Sequence, residues 1–366
     1  MKICFIVLKG MPFGGGIEKY TEELGSRLVQ KGHEIVVYAM RHYGAKDGIY
    51  KGMKIKTVPT LRTKNLEKIV ASLMSTIYQY SEKKVDIIHF HAFGPAIFNL
   101  IPRLAGIKVV VQGHGLEWRR SRWNPGIKLA LKLTEFFSVK FPNRITVVSR
   151  VQQKYLRERY NADSIYIPTG VNFPQPEEPE LIKQYGLKGN DYILFAARLV
   201  KEKGAHHLIE AYKRLNTDKK LVISGDIENE REYKKSLYKL SGKNKDIIFT
   251  GFITGKVLRE VFSNCYMFVL PSEIEGLSTT LLEAMSYGNY CLASDIPENL
   301  EALGSLGHSF KCGDVDDLKN KMQHLIDDRS IIETEKKKSQ SSVLENHSWD
   351  NIAEQFEKLY KELTAF

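Results

Sequence analysis

A chain of 366 residues with 43% hydrophobic and 27% charged residues has the composition of a folded globular protein and the length of two or three domains, which excludes a disordered or collagen-like chain. No run of about 18 uninterrupted apolar residues occurs, so a transmembrane helix is excluded. The apolar run in MKICFIVLKG is too short for a signal-peptide core. The net charge of +11 is concentrated: between Arg119 and Arg159 eleven Lys and Arg stand against two acids, Glu135 and Glu158. That density suits a polyanion such as an anionic membrane, a nucleic acid or a phosphate-bearing substrate. The plainer alternative is a solvated surface whose compensating acids lie elsewhere in the fold. Cys4, Cys265, Cys291 and Cys312 stand singly, without paired spacing, as reduced core thiols of a cytoplasmic protein would.

In chain order, the apolar run Lys2–Leu8 predicts a buried strand, followed by a glycine-rich turn, helical spacing over Ile17–Lys31 and a second strand at Glu34–Ala39. Val85–Phe90, Lys108–Gln112 and Arg144–Ser149 are further short strands rich in Val and Ile, separated by helical stretches. β-Branched runs alternating with helices predict a parallel sheet covered on both faces. The segment IPTGVNFPQPEEPE, from Ile167 to Glu180, holds four prolines and three acids and cannot continue a helix or a central strand, so it reads as a linker. Beyond it the alternation restarts, with strands at Tyr192–Ala197, Leu221–Ser224, Ile247–Thr250, Met267–Leu270 and Tyr290–Ser294. The helices between them are Ala205–Leu215, Glu230–Leu240, Lys256–Phe262 and Thr280–Tyr287; a Lys-rich stretch near Lys336 precedes a last helix, Trp349–Leu363. The expected fold is α/β: two doubly wound domains, residues 1–170 and 171–345, with ligands at the C-terminal ends of the strands and the domains facing a central cleft.

Four places in this pattern can carry chemistry. Gly14-Gly15-Gly16 lies between the first strand and the first helix, where glycines let backbone N–H groups approach an anion. The spacing does not fit the GxGxxG dinucleotide fingerprint, and the second strand ends in Ala39-Met40-Arg41 without the acid, so a tight turn is an equal reading. Arg198 and Lys203 follow a strand directly, and two cations there can neutralise a diphosphate; ordinary loop solvation is the alternative. In PSEIEGLSTTLLEAM, Glu275 sits in the turn, Gly276-Leu277-Ser278 open a helix and Glu283 lies inside it. The free N–H groups of that helix start can meet a phosphate or a sugar hydroxyl, with an acid on either side. Thr280-x-x-Glu283 also fits a capping box, which would make Glu283 a structural cap. Finally, His114 stands between two glycines at a strand end. With His89 and His91 it could be drawn as a metal cluster, but no fourth ligand has recognisable spacing. The Asp314-Val315-Asp316 run reads as a helix cap rather than a metal motif.

Taken together, GGGIE near the start, His114-Gly115, RLVKEKG, the E-x7-E element Glu275–Glu283 and the terminal SWDNIAEQF helix resemble the retaining glycosyltransferases of family 4, which have the GT-B fold of two Rossmann-like domains. The resemblance covers essentially the whole chain. It implies a nucleotide-diphosphate-sugar donor held mainly by the C-terminal domain, and transfer with retention, without a metal or other cofactor. By position it assigns Arg198 and Lys203 to the diphosphate and leaving group. Glu283 falls to the ribose, and Glu275 with Gly276, Leu277 and Ser278 to the donor sugar and phosphate. His114 would contact the sugar near the reacting centre, Gly15 and Gly16 would approach the phosphate, and Phe252 and Ile253 would lie along the base. It also implies that residues 346–366 cross back to the N-terminal domain. HGLEWRRSRW is similar to bacterial surface-polysaccharide transferases, and makes Glu117, Trp118 and Arg122 candidate acceptor contacts.

Departure of a nucleoside diphosphate develops negative charge that fixed cations and a helix N-terminus stabilise. Retention by hydrolases uses two carboxylates, and beside His114 only Glu117 offers itself as a nucleophile. Same-face attack assisted by the leaving phosphate is the route the family resemblance implies. The expected partners are the donor, a saccharide or lipid-linked acceptor and an anionic membrane surface, with no nucleic acid. The membrane contact rests on aromatics among the cations of residues 118–141. There Lys128, Lys132 and Glu135 share one face of a helix whose other positions are largely apolar. A cytoplasmic protein, peripheral on the inner membrane face, would result. Two other classes stay open, a nucleotide-sugar epimerase of the same fold and a non-enzymatic protein that binds anionic surfaces.

Overall fold

The computed structural model describes the chain except residues 12–14, 62, 64–65, 83, 121–122, 227–230 and 366, and except the side chains of residues 7, 8 and 335–337. The chain divides into two compact units, Met1–Gly170 together with Trp349–Phe366, and Val171–Ser348.

The first unit is built on β1 (Lys2–Leu8), β2 (Glu34–Met40), β3 (Gly48–Tyr50), β4 (Met53–Val58), β5 (Ile87–His91), β6 (Lys108–Gly113), β7 (Arg144–Val147) and β8 (Ile165–Tyr166). They form one sheet in the order β3-β4-β2-β1-β5-β6-β7-β8. Neighbours are parallel except β3 and β4, which are antiparallel. Every residue of β5 is buried, which explains why the central strands read as continuous apolar runs. The β3–β4 hairpin did not stand out because Met53-Lys-Ile-Lys-Thr-Val alternates: Met53, Ile55 and Thr57 turn inward while Lys54 and Lys56 stay half-exposed. That is the pattern of a strand near a sheet edge.

The helices of this unit are α1 (Gly16–Gln30), α2 (Glu67–Tyr78), α3 (Leu100–Leu104), α4 (Pro125–Lys140) and α5 (Arg150–Tyr160). α4 packs in an unexpected sense. It buries Glu135, Ser138 and Val139 and leaves Leu129, Leu133, Phe136 and Phe137 exposed. Glu135 is tolerated inside because Tyr155 and Tyr160 donate their hydroxyls to its Oε1 at 2.8 and 2.7 Å. Burial is the larger influence and raises its pKa despite those bonds. The C-terminal helix Trp349–Thr364 completes the unit. Trp349, Ile352, Ala353, Phe356, Leu359, Tyr360 and Leu363 are all buried, the apolar stripe of an amphipathic helix. On its polar side Asp350 accepts from Arg27 Nε at 2.6 Å and Glu357 meets His33 at 3.2 Å.

The second unit contains β9 (Tyr192–Ala196), β10 (Lys220–Ser224), β11 (Ile247–Gly251), β12 (Met267–Leu270), β13 (Cys291–Ser294) and β14 (His308–Phe310) in the order β11-β10-β9-β12-β13-β14. All neighbouring pairs are parallel. Its helices are α6 (Ala205–Tyr212), α7 (Arg231–Ser241), α8 (Gly255–Ser263), α9 (Thr279–Ser286), α10 (Pro297–Leu303), α11 (Val315–Asp327) and α12 (Arg329–Asn346). The Lys-rich stretch is part of α12. Asp314 caps α11, accepting from the backbone of Asp316 and Asp317. The linker enters this unit along α8, where the buried Glu260 accepts from Leu181 and Ile182 N–H and Arg259 donates to Glu177 at 2.7 Å.

Candidate active site

Counted within its own unit, the second sheet has the order 3-2-1-4-5-6, so the chain reverses its direction of winding between β9 and β12. Loops leaving the C-terminal ends of two such strands lie side by side with no crossover helix between them, and ligands bind there. The loop after β9 carries Arg198, exposed at its start, and Lys203 in a short 3-10 turn. The loop after β12 carries Glu275 and runs through Gly276, Leu277 and Ser278 into α9. The two loops are joined: Glu273 N–H donates to the Glu202 carbonyl at 2.8 Å, and Lys203 Nζ pairs with Glu275, with only 13% and 7% of the side chains exposed. Gly204 has φ +70°, and a Cβ there would overlap the Pro271 carbonyl oxygen, so only glycine permits the approach. Behind the second loop, Ser294 donates to the Ser272 carbonyl and Asn299 Nδ2 donates to Ser294 Oγ at 2.9 Å.

The structure decides against a capping box at Thr280–Glu283. The N-cap of α9 is Ser278, whose side chain accepts from Leu281 N–H at 3.4 Å. Leu281 therefore holds the third helical position and Glu283 the fifth, so no capping box forms on Thr280. Glu283 is half-buried, one turn beyond the helix start. On the same C-terminal rim, Gly251 ends β11 with φ +69° and Phe252 stands 63% exposed, next to Ile253.

In the first unit the same reversal falls between β1 and β5. Gly15 is the N-cap of α1 and Gly16 its first residue; Gly14 lies outside the described residues. Glu18 was not singled out by the sequence reading, although GGGIE puts an acid three residues past the cap. Its buried carboxylate accepts from Lys9 N–H at 3.0 Å, and it occupies the space a Cβ on Gly15 would need. His114 follows β6 and is half-buried. It joins His89 and His91, the alternate residues of β5, in one cluster: His91 Nδ1 lies 3.3 Å from His114 Nε2, His91 Nε2 3.3 Å from Thr21 Oγ1, and His89 Nδ1 2.6 Å from Tyr360 Oη. Tyr20 sets its ring edge-on to His114 at 4.9 Å and accepts from Gln112 Nε2 at 2.7 Å. Glu117 sits in a short turn and pairs with Arg120 at 3.1 Å. Trp118 packs inward, its ring under Lys132 Nζ at 4.5 Å and 6.0 Å from Tyr155. Arg122 lies outside the described residues.

Burial keeps all three rings neutral. It lowers the pKa of His89 and of His114 to about 3, and that of His91 well below the ordinary value. His91 is engaged with Thr21 and His114, and His89 Nδ1 with Tyr360. Among the described residues, the ligand atoms of His206, His207 and Glu273 do lie within 4.8 Å of one another. His207 already pairs with Glu273 at 3.1 Å, and His206 bonds Tyr233 Oη at 2.9 Å.

Comparison with known proteins gives this geometry its class. Residues 177–342 match the model of the glycosyl transferases group 1, and residues 14–173 that of Glycosyltransferase Family 4. The chain belongs to the glycosyltransferases of this group 1 and family 4 type, with the α/β GT-B fold. It is 26% identical over 350 residues to the UDP-Gal:alpha-D-GlcNAc-diphosphoundecaprenol alpha-1,3-galactosyltransferase of Escherichia coli, covering 90% of this chain and 89% of that one. To the alpha-maltose-1-phosphate synthase of Mycolicibacterium smegmatis it is 24% identical, covering 96% of each. Among solved structures, sucrose-phosphate synthase from Thermosynechococcus elongatus superposes with a TM-score of 0.86 at 20% identity, over 100% of this chain and 99% of that one. Anabaena HepE in complex with UDP-glucose gives 0.81 at 17% identity, over 99% and 100%.

Two expectations follow. Lys203→Ala leaves the Glu275 carboxylate buried without its partner and costs about 3 kcal/mol. Lys203→Ala with Glu275→Ala recovers most of that, so urea unfolding of the two variants should show the double variant as the more stable. The second concerns acid. The unfolded chain protonates its histidines from about pH 6.5 downward, whereas His89 and His91 resist protonation in the fold. The contribution of His89 is therefore complete above about pH 6.5 and is lost progressively as pH falls towards 3, and that of His91 is lost in the same direction. By pH 5 the His89 ring costs about 2 kcal/mol. The thermal midpoint should drop between pH 7 and pH 5, and His89→Gln, with no ring to protonate, should make the drop shallower.

Proposed function

We propose that this chain transfers a hexose, with retention, from a nucleotide-diphosphate sugar to a saccharide or lipid-linked saccharide acceptor in the synthesis of a bacterial surface polysaccharide. The observation that carries the reading is the junction of the β9 and β12 loops, where Arg198, Lys203, Glu275 and the start of α9 gather at one switch point. The names of the E. coli galactosyltransferase and of HepE with UDP-glucose support a nucleotide-sugar donor.

In this reading Arg198 and Lys203 take the diphosphate. Lys203 exchanges part of its pairing with Glu275 for a phosphate oxygen, and Glu275 turns to the sugar hydroxyls. The bond from the anomeric carbon to the phosphate oxygen breaks, the acceptor oxygen bonds the same face, and its proton passes to the leaving phosphate. Charge growing on that phosphate meets the two cations and the α9 N–H groups, so these groups supply the electrostatic stabilisation without a metal. Gly15 and Gly16 approach the phosphate, Glu283 holds the ribose, Phe252 and Ile253 flank the base, and His114 contacts the sugar.

The same reading includes docking of α4 on an anionic bilayer at the cytoplasmic face. Leu129, Leu133, Phe136 and Phe137 are exposed beside Lys128, Lys132 and Lys140, and Leu104 of α3 is 79% exposed next to Arg103. Apolar side chains flanked by cations suit the interface of an acidic membrane, where each cation contributes about 1 kcal/mol.

A screen of nucleotide-sugars by melting shift and turnover identifies the donor; an isomeric nucleotide-sugar as the product would make the protein an epimerase instead. With that donor, Glu283→Gln should weaken binding several-fold to tens-fold, because a neutral hydrogen bond replaces a charged one, and should leave the melting temperature in place. Arg198→Ala should lower kcat more than donor affinity, having lost a cation that meets charge developed in the transition state. Unchanged donor affinity in Glu283→Gln would sink the ribose assignment. For the membrane, sedimentation with phosphatidylglycerol vesicles at low salt should carry the protein down. Leu133→Asp with Phe137→Asp should abolish this without lowering the melting temperature; no sedimentation of the parent protein removes the docking.

A further inference from the structure

The first unit contains a hydrogen-bond series that ends on His114, and each of its members has a limited stock of protons. Thr21 Oγ1 lies 2.9 Å from the carbonyl oxygen of Ile17, four residues back in α1, and 3.3 Å from His91 Nε2. A hydroxyl has one proton. The carbonyl, which cannot donate, is the nearer partner and the usual one for a helical threonine, so the proton goes to Ile17. The contact with His91 must then be made by a proton on His91 Nε2, with Thr21 Oγ1 accepting. His91 is a neutral ring, buried to 1% exposure, so a proton on Nε2 leaves Nδ1 as a bare acceptor. The partner of Nδ1 at 3.3 Å is His114 Nε2, which must donate. That leaves His114 Nδ1 with a lone pair, and no described residue is bonded to it.

The rings have little freedom to depart from this arrangement. Phe5 meets His91 edge-on at 5.2 Å, His89 stacks on it at 4.5 Å, and Tyr20 closes on His114. Gly113, just before His114, would clash with Phe93 and Gln152 if it carried a Cβ. His91 and Thr21 have no part in the roles assigned above.

We propose that Thr21 and His91 are positioning residues that fix the tautomer of His114, so that His114 meets the donor sugar through Nδ1 as a hydrogen-bond acceptor. The proposal rests on the reading in which His114 contacts the sugar, and it adds a specificity rule. The position facing His114 must carry a hydroxyl able to donate; a deoxy, fluoro or methoxy group there cannot pair with a lone pair. An imidazole in the other tautomer would accept a fluoro or methoxy sugar as an acceptor for its N–H, so the direction of the series decides which donors are taken.

The test is the long-range 1H–15N spectrum of histidine-labelled protein, which shows which ring nitrogen carries the proton. Expected are a protonated Nε2 and a bare Nδ1 on His114 in the parent and in Thr21→Ser, which keeps the hydroxyl. Thr21→Val removes the acceptor of His91 Nε2–H, so His114 should become a mixture of tautomers. In the same variant kcat/KM for the donor selected by the screen should fall about ten-fold, the effect of one hydrogen bond. The Kd of the matching nucleoside diphosphate, which lacks the transferred sugar, should stay at the parent value, and Thr21→Ser should restore turnover. A parent His114 protonated on Nδ1 overturns the proposal, and so does a Thr21→Val protein with the parent's tautomer and turnover. A His114→Ala protein with full turnover overturns the sugar-contact reading instead, and the spectrum of the parent distinguishes that failure from the first.

Discussion

In a parallel sheet every strand ends at the same rim, and the helix that carries the chain back must cover one face or the other. Where the direction of winding reverses beside a central strand, the returning helices leave on opposite faces and two neighbouring loops have nothing between them. This reversal, between β9 and β12 in one unit and between β1 and β5 in the other, is the constraint on which the candidate site depends. It brings Lys203 to Glu275 from segments 72 residues apart in the chain. It also sets the end of β5, with His91, beside the helix that begins at Gly16 and carries Thr21. The glycine at 204 is a consequence of the same geometry, because the Pro271 carbonyl of the neighbouring loop leaves no room for a side chain, whereas the one at 15 makes room for Glu18 of its own helix.

The two switch points solve the problem of burying polar groups in opposite ways. In the second unit a full positive and a full negative charge are kept and set against each other, an arrangement that holds only while each has a partner. In the first unit the charges are removed: burial holds three imidazoles neutral, and what remains is a directional pattern of donors and acceptors. One arrangement answers to charge and the other to the position of a proton.

The sheets were largely legible because their central strands are buried on both faces and therefore written as unbroken runs of Val, Ile and Phe. Lys2–Leu8 and Met267–Leu270 end where the sequence placed them. The β3–β4 hairpin escaped because its lysines alternate with its apolar residues, and β14 because three residues, His308–Phe310, are too few to show a period. The direction of α4 was hidden for a stronger reason. Its apolar positions suggest a core face, whereas the partners that allow Glu135 inside, Tyr155 and Tyr160, belong to the next helix and cannot be paired with it by spacing alone. The gathering of Arg198, Lys203 and Glu275 at strand ends was readable from their place after β-runs. The link from His114 through His91 to Thr21 was not, since it joins three separate elements, and the alternation in IIHFH was its only trace.

The return of the C-terminal helix to the first unit has a consequence for the order of events during synthesis. Trp349, Phe356 and Tyr360 fill space against Tyr20 and His89, yet the ribosome makes them after all of Val171–Ser348. At about 5–20 residues per second, on the order of ten to thirty seconds separate completion of the first sheet from arrival of the helix that seals it. During that interval the second unit has its whole sequence and can fold, while the first, although older, keeps an aromatic face open to water. The domain made first is thus the last to be finished, and the nascent chain must shield that face, or have it shielded, until the final turns emerge.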